Sequence, residues 1–189
     1  VAVFMTRSGY VKRMPIEEYR LQHRGGVGVK GTEKKEEDEV ENILITTTHQ
    51  YLLCFSNSGQ VYWLKVYKVP EFGKYAKGKA IVNLLEMKPE DKITTIIPVR
   101  QFDDKHYLIM CTKRGTLKKT KLVDYSHPRN GGIVGIKLVN NDELVTVKLT
   151  PGTLKFLIGT KKGNAVRFDE QDVRDVGRNA MGVRGIRLE

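Results

Sequence analysis

The chain has 189 residues with 40% hydrophobic content, enough for a sizeable core, and no apolar run approaches the length that a membrane-spanning helix needs. Lys and Arg total 33 against 22 Asp and Glu, and the resulting charge of +11 favours a polyanionic partner; no basic amphipathic helix is visible, so nucleic acid is preferred to a membrane surface. Cys54 and Cys111 lie inside apolar runs and read as free thiols in a reducing compartment, while His23, His49, His106 and His127 are scattered without zinc-site spacing.

In chain order the sequence repeats one unit four times. The first, residues 1–50, opens with a hairpin pattern from Val1 to Arg13 that turns at Gly9. It continues through a helical turn near Pro15–Tyr19, a glycine-rich run Gly25–Lys30 and an acidic loop containing Glu33, Glu36, Glu37, Asp38, Glu39 and Glu41, and closes on a strand at Asn42–Thr48. The second, residues 51–106, has its hairpin at Leu52–Trp63 about Gly59, a glycine-led strand at Gly78–Leu84 and a further strand at Lys92–Val99. The third, residues 107–155, repeats this at Leu108–Lys119 about Gly115, at Gly131–Leu138 and at Glu143–Leu149. The fourth, residues 156–189, carries the hairpin Phe156–Arg167 about Gly163, a helical turn near Glu170–Val176 and the run Gly182–Leu188.

In every unit a Thr or Ser stands three residues before the hairpin glycine: Thr6, Ser56, Thr112 and Thr160. Glycine supplies the positive φ that a bulged hairpin loop demands. The strand before each turn is almost continuously apolar, which predicts burial on both faces, whereas the strand after it alternates and predicts one wet, basic face. About four strands per unit of roughly 50 residues predict an all-β fold: a propeller-like array of four-stranded antiparallel blades forming one domain over 1–189.

The positive charge is uneven along the chain: residues 1–50 balance, and the excess is greatest over 107–155. Lys12, Arg13, Lys118, Lys119 and Arg167 recur just after the hairpin glycines, and stacking of repeats would align such positions into a belt suited to duplex backbone. Single-strand binding would call for exposed aromatics interleaved with charge, but aromatic content is only 8%, and Tyr10, Tyr62 and Trp63 read as packing residues. Gly26, Gly28 and Gly31 spell the letters of a dinucleotide fingerprint. They lack the strand–turn–helix setting in which that motif binds pyrophosphate, and the reading is rejected. No nucleophile–base set or phosphate loop has supporting context, so no catalytic residue and no metal site is assigned.

Read from Gln22, the run Gln22, His23, Arg24, Gly25, Gly26, Val27, Gly28 resembles the Gln-Arg-Arg-Gly-Gly-Lys-Gly box of the C-terminal DNA-wrapping domain of the DNA gyrase A subunit, part of a bacterial type II topoisomerase. Tyr51–Ser56, Lys79–Leu85, Gly115–Thr120 and Gly182–Leu188 resemble the same family, so the likeness covers essentially the whole chain. It implies a β-pinwheel, a propeller variant whose perimeter bends and chirally wraps duplex DNA so that strand passage introduces negative supercoils. It further implies a domain that is not itself an enzyme and has no cofactor of its own, since ATP and magnesium serve other parts of the parent. Its expected partners are double-stranded DNA, the remainder of the gyrase A chain and the gyrase B chain in an A2B2 assembly, in the bacterial cytoplasm at the nucleoid.

The candidate DNA contacts are Gln22, His23, Arg24, Gly25, Gly26, Val27, Gly28, Lys30, Lys12, Arg13, Lys77, Lys79, Lys118, Lys119, Arg129, Arg167, Arg178 and Arg184. Adjacent glycines would let backbone N–H groups approach phosphate, with Arg24 adding a charged fork. His23 and Val27 depart from the family's Arg and Lys, leaving a less cationic box. Family members carry about six blades, whereas this chain shows four and opens in a strand-like run, as an excised piece would. The corresponding domain of topoisomerase IV and a protein-binding propeller are the alternatives.

Overall fold

The computed structural model of the chain describes residues 1–18 and 38–188. These residues form fourteen strands. The hairpins are β1 (Ala2–Thr6) with β2 (Tyr10–Met14), β4 (Tyr51–Ser56) with β5 (Gln60–Lys65), β8 (Tyr107–Thr112) with β9 (Thr116–Lys121), and β12 (Lys155–Gly159) with β13 (Ala165–Asp169). Third strands are β3 (Val40–Ile45), β7 (Ile93–Val99) and β11 (Leu144–Thr150). Three two-residue strands, β6 (Lys79–Ala80), β10 (Ile133–Val134) and β14 (Val183–Arg184), complete the set. Among the described residues helical structure is confined to 3-10 turns. Those at Ile16–Glu18 and Glu170–Asp172 fall where the sequence indicates, and those at Val66–Lys68, Ile81–Asn83 and Leu122–Tyr125 are additional.

One local device makes all four hairpins. The hairpin glycines Gly9, Gly59, Gly115 and Gly163 have φ of 81, 79, 82 and 86°. Each donates its N–H to the carbonyl of the Thr or Ser three residues earlier, at 2.9–3.1 Å. That residue's hydroxyl oxygen then accepts the N–H following the glycine: Thr6 from Tyr10, Ser56 from Gln60, Thr112 from Thr116 and Thr160 from Asn164. The hydroxyl thus satisfies a donor that the bulged turn leaves outside the ladder.

The sheets do not coincide with the sequence units. Three are four-stranded, with orders β3-β1-β2-β6, β10-β5-β4-β7 and β11-β8-β9-β14, while β12 and β13 form a two-stranded sheet. The short strand beside each of the first three hairpins therefore comes from the following unit. β6 lies antiparallel to β2 with Tyr10 opposite Ala80, β10 to β5 with Val61 opposite Ile133, and β14 to β9 with Leu117 opposite Val183. Only glycine admits this approach. Gly78, Gly132 and Gly182 have φ of 92, 76 and 92°, and an added Cβ would lie 2.6 Å from the Val11 carbonyl, 2.9 Å from that of Val61 and 2.5 Å from that of Leu117.

Apolar cores lie between the sheets. Val3, Met5 and Val11 of the first meet Leu52, Cys54, Tyr62 and Leu64 of the second. The opposite face of the second, with Leu53, Phe55 and Val61, meets Leu108, Met110, Leu122 and Tyr125. A central strand such as β4 thus serves two cores at once, which explains its unbroken apolar sequence. Ile109 and Leu117 then meet Val173, Phe156, Ile158 and Phe168 of the last hairpin and its neighbouring turn, and Ile109, Leu117, Phe156 and Ile158 also line a cavity of about 660 Å³. β12 departs from the expectation of two buried faces: Leu157 is 72% exposed, because among the described residues this hairpin packs on one side only.

Gly182→Ala and Gly163→Ala separate the two roles of glycine, because both residues have positive φ but only Gly182 is sterically enclosed. Urea unfolding is expected to show a loss of about 1 kcal/mol for Gly163→Ala and about 2–4 kcal/mol for Gly182→Ala. Equal losses would mean that the strand from the following unit does not depend on that close approach.

Candidate nucleic-acid interface

Alternation in the strand after each hairpin turn predicts a wet, basic face there; the structure corrects this for three lysines. Lys12, Lys118 and Lys119 are 2%, 1% and 6% exposed. Lys118 and Lys119 are neighbours in β9 and face opposite ways, yet chain from the next unit reaches both faces, and each of the three ammonium groups bonds a backbone carbonyl there. Lys12 Nζ donates to the carbonyls of Gly73 at 3.3 Å, Lys74 at 2.7 Å and Ala76 at 2.9 Å. Lys118 Nζ donates to the Gly135 carbonyl at 2.7 Å and to the Arg178 carbonyl. Lys119 Nζ donates to the Glu170 carbonyl at 3.2 Å and sits 4.5 Å from the Tyr107 ring centroid. These lysines occupy the joints between units and offer no charge to a partner at the surface.

Arg13 is half-buried in a comparable joint. Its Nε donates to the Val69 carbonyl at 2.7 Å, and its guanidinium pairs with Glu71 at 2.9 Å. In the second unit Trp63 takes that place, with Nε1 donating to the Tyr125 carbonyl at 2.9 Å. Glu170, fully buried, accepts from the Thr150 hydroxyl and, at 3.1 Å, from the Leu154 N–H, with Lys119 Nζ 3.9 Å away. A polar system thus clamps successive units, and local sequence motifs carry little sign of it.

The remaining cations are accessible. Lys77, Lys79, Arg129, Arg167 and Arg184 are exposed, and Arg178 is half-buried. All but Arg167 lie on the strands that cross to the preceding sheet or on the loops leading into them, residues 73–78, 127–132 and 177–182. Lys77 Nζ lies 4.0 Å from the Tyr10 ring centroid, so the crossing segment also rests its cation on the hairpin that it joins. The sequence motifs do not single out Lys74, Arg114, Lys137 and Arg187. Arg114, Arg184 and Arg187 line a groove of about 450 Å³, and Arg114, Lys137 and Arg184 line an adjoining one of about 260 Å³ beside Asp142. A signal for two of them is present: Lys137 and Arg187 each stand five residues after an equivalent glycine, Gly132 and Gly182. Gln22, His23, Arg24, Gly25, Gly26, Val27, Gly28 and Lys30 lie outside the described residues.

Other titratable groups are structural. Burial pushes the Cys54 thiol up to about 12, and both cysteines are free. Burial, reinforced by the bond that the Tyr62 hydroxyl donates to Asp91 at 2.9 Å, raises Tyr62 to about 12. Lys118 moves the other way, down to about 8, first through burial and then through the nearby Arg178 charge, with Asp124 opposing. Among the described residues no helix is long and apolar enough to cross a membrane.

A chain of antiparallel sheets, the first three each taking a strand from the unit ahead with cations on that crossing segment, is a repeat domain of the propeller class in its pinwheel form. The chain belongs to the family described as DNA gyrase C-terminal domain, beta-propeller, which matches residues 2–47, 50–100, 106–151 and 155–189. It is 47% identical over 185 residues to the DNA gyrase A subunit of Clostridium acetobutylicum, covering 98% of this chain and 22% of that protein. Against the DNA gyrase A subunit of Escherichia coli K12 it is 45% identical over 188 residues, covering 100% of this chain and again 22% of the relative. The chain therefore spans under a quarter of the length of these relatives. Among solved structures it resembles the C-terminal domain of DNA topoisomerase IV, with a TM-score of 0.84 and 32% identity, covering 100% of this chain and 57% of that one. It also resembles a DNA gyrase A C-terminal domain, with a TM-score of 0.76 and 29% identity, covering 100% and 60%.

The depressed Lys118 value fixes a pH dependence. Between about pH 8 and the ordinary lysine value of 10.5 the unfolded chain binds more protons at this residue than the folded one, so its contribution to stability rises with pH. Raised Cys54 and Tyr62 act oppositely, from about pH 9 and pH 10 upward, but both are present in the variant as well and cancel in the comparison, which leaves about pH 7.5–9.5 as the useful window. The stability difference between the unaltered protein and Lys118→Met is expected to shift in favour of the unaltered protein across that window. A pH-independent difference in urea midpoint would contradict the assignment.

Proposed function

We propose that this chain binds duplex DNA through phosphate contacts along its crossing segments, and that it bends and chirally wraps the duplex as the non-catalytic C-terminal part of a gyrase A subunit. The observation that carries this reading is the recurrence of exposed cations on equivalent segments of successive units: Lys77 and Lys79, Arg129 and Lys137, Arg184 and Arg187. Family membership supports it. Cations held on the crossing strands and the segments flanking them, and separated by whole sheets, suit a backbone followed over many base pairs better than a single base-reading surface. Bending a 20–30 base-pair site by 40–90° costs about 1–6 kcal/mol, which several modest contacts per sheet offset better than one strong one. The sequence box Gln22–Gly28, with Arg24 as its charged fork and Lys30 beside it, adds a further phosphate site in this reading.

In the full enzyme the domain works with the remainder of the gyrase A chain and with the gyrase B chain in an A2B2 assembly, where ATP and magnesium serve other domains. It uses no cofactor itself and acts in the bacterial cytoplasm at the nucleoid. A topoisomerase IV-type role is the second reading, favoured by the TM-score of 0.84 to that enzyme's C-terminal domain.

Anisotropy titration of a labelled duplex across a salt series tests the binding, and topoisomer analysis of nicked, bound and religated plasmid tests the wrap. Binding is expected to weaken with salt at a log–log slope of about −0.9 per neutralised phosphate. Lys77→Ala with Lys79→Ala is expected to flatten that slope by about one to two contacts, and Arg24→Ala to weaken all sequences alike. A salt-sensitive linking-number shift supports the gyrase-type wrap. Binding with no shift favours the second reading, and no binding would replace both with a protein-binding propeller.

A further inference from the structure

We propose that Lys12 and Lys118 are positioning residues that set the geometry of the phosphate-contacting loops 73–78 and 177–182 from beneath, by holding their backbone carbonyls. This rests on the DNA reading above and assigns a role to two lysines that the binding surface itself does not use. The two loops are equivalent. Gly73-Lys74-Tyr75-Ala76-Lys77-Gly78 and Gly177-Arg178-Asn179-Ala180-Met181-Gly182 share an opening glycine, then a basic residue, an alanine at the fourth place and a closing glycine at φ +92°. The lysine beneath also stands at one equivalent place, three residues after Gly9 or Gly115.

The bonding is specific to backbone. Lys12 Nζ gathers the Gly73, Lys74 and Ala76 carbonyls within 3.3 Å. Lys118 Nζ binds the Arg178 carbonyl and, at 2.7 Å, ties it to the Gly135 carbonyl of the unit before. In both loops one bonded carbonyl belongs to the basic residue itself, Lys74 or Arg178. Fixing that carbonyl fixes the backbone from which a surface cation projects. A compact ammonium with donors spread around one atom can collect several carbonyls from a single turn, which a planar guanidinium fork cannot do as closely. The second unit supplies the contrast. Tyr62 holds the equivalent position, its hydroxyl goes to Asp91, and Gly132 closes the loop 127–132 against its ring. That loop is seated by packing.

An untethered loop must be ordered by the duplex on binding, so each tether is expected to contribute about five- to tenfold in affinity. Lys12→Met removes one buried charge and leaves every surface cation in place. Its expected signature is faster amide exchange over residues 73–78 at near-unchanged exchange over β4 and β8, with weaker duplex binding. The decisive comparison is a double-mutant cycle. If Lys12 acts through the loop, Lys12→Met should cost little further affinity once Lys74 and Lys77 have been changed to Ala. A full additional loss in that background would overturn the proposal and make Lys12 a general stabiliser. Lys118→Met should repeat the exchange result over 177–182. If either variant fails to fold, NMR of lysine ammonium groups in the unaltered chain decides: slow proton exchange at Lys12 and Lys118 is expected, and bulk-like rates would overturn the tether. Failure of the unaltered chain to bind duplex would overturn the DNA reading and the positioning role with it, while the exchange data would still report separately on the tether.

Discussion

The short antiparallel pairing of β6 with β2, β10 with β5 and β14 with β9 is the contact on which the rest of the molecule depends. Each involves two residues per strand, so their hydrogen bonds alone are a small stabilisation. Their weight lies in where they put the chain. By carrying a segment of one unit onto the sheet before it, they bring Val66, Leu122 and Val173 into the spaces between sheets and place the 3-10 turns where Arg13, Trp63 and Lys119 can reach carbonyls. Hydrophobic burial between sheets then follows from backbone topology. Beyond the small cluster of Ala2, Phe4, Met14 and Val40 inside the first unit, each core draws on two successive units, the condition under which repeat proteins are stable as arrays.

The same crossing decides what can be a binding surface. Segments that leave one unit to finish another pass along a sheet edge with their cations outward, and Lys77, Lys79, Arg129, Lys137, Arg184 and Arg187 ride on them. Lys12, Lys118 and Lys119 in the hairpins behind are enclosed by that passage. Surface charge and internal charge therefore have different work, and in the third unit the division runs between the hairpin, with Lys118 and Lys119 enclosed, and the crossing segment, with Arg129 and Lys137 exposed.

Much of the fold is legible in the sequence. The Thr-or-Ser to glycine spacing has a direct physical cause in the turn, and Ser56 with Gly59 forms the same bonds as Thr112 with Gly115. The third strands fall within a few residues of their expected places because apolar alternation is local. The crossing strands are visible as glycine-led runs, yet their partners are not: nothing local in Lys79–Ala80 says that it pairs with Tyr10 and Val11. Lys12 and Lys118 read as wet because a lysine in an alternating strand is ordinarily exposed. Their acceptors include Lys74 and Arg178, 62 and 60 residues away, and backbone carbonyls leave no trace in a side-chain pattern. Lys137 and Arg187 share a register with each other, but it is counted from the crossing glycine and not from the hairpin glycine that makes the repeat conspicuous.

The crossing also writes a delay into the chain's synthesis. Tyr10 waits for Ala80 before the first sheet has its last strand, and Thr116 waits for Arg184 in the third. At ribosomal speeds of about 5–20 residues per second, each such gap is several seconds during which a formed hairpin exposes an unpaired edge. Every four-stranded sheet is thus born open and is closed by material not yet made when its first strands leave the ribosome. The order of closure runs in one direction along the chain, and the hazard of mispairing with a neighbouring nascent copy moves along with it.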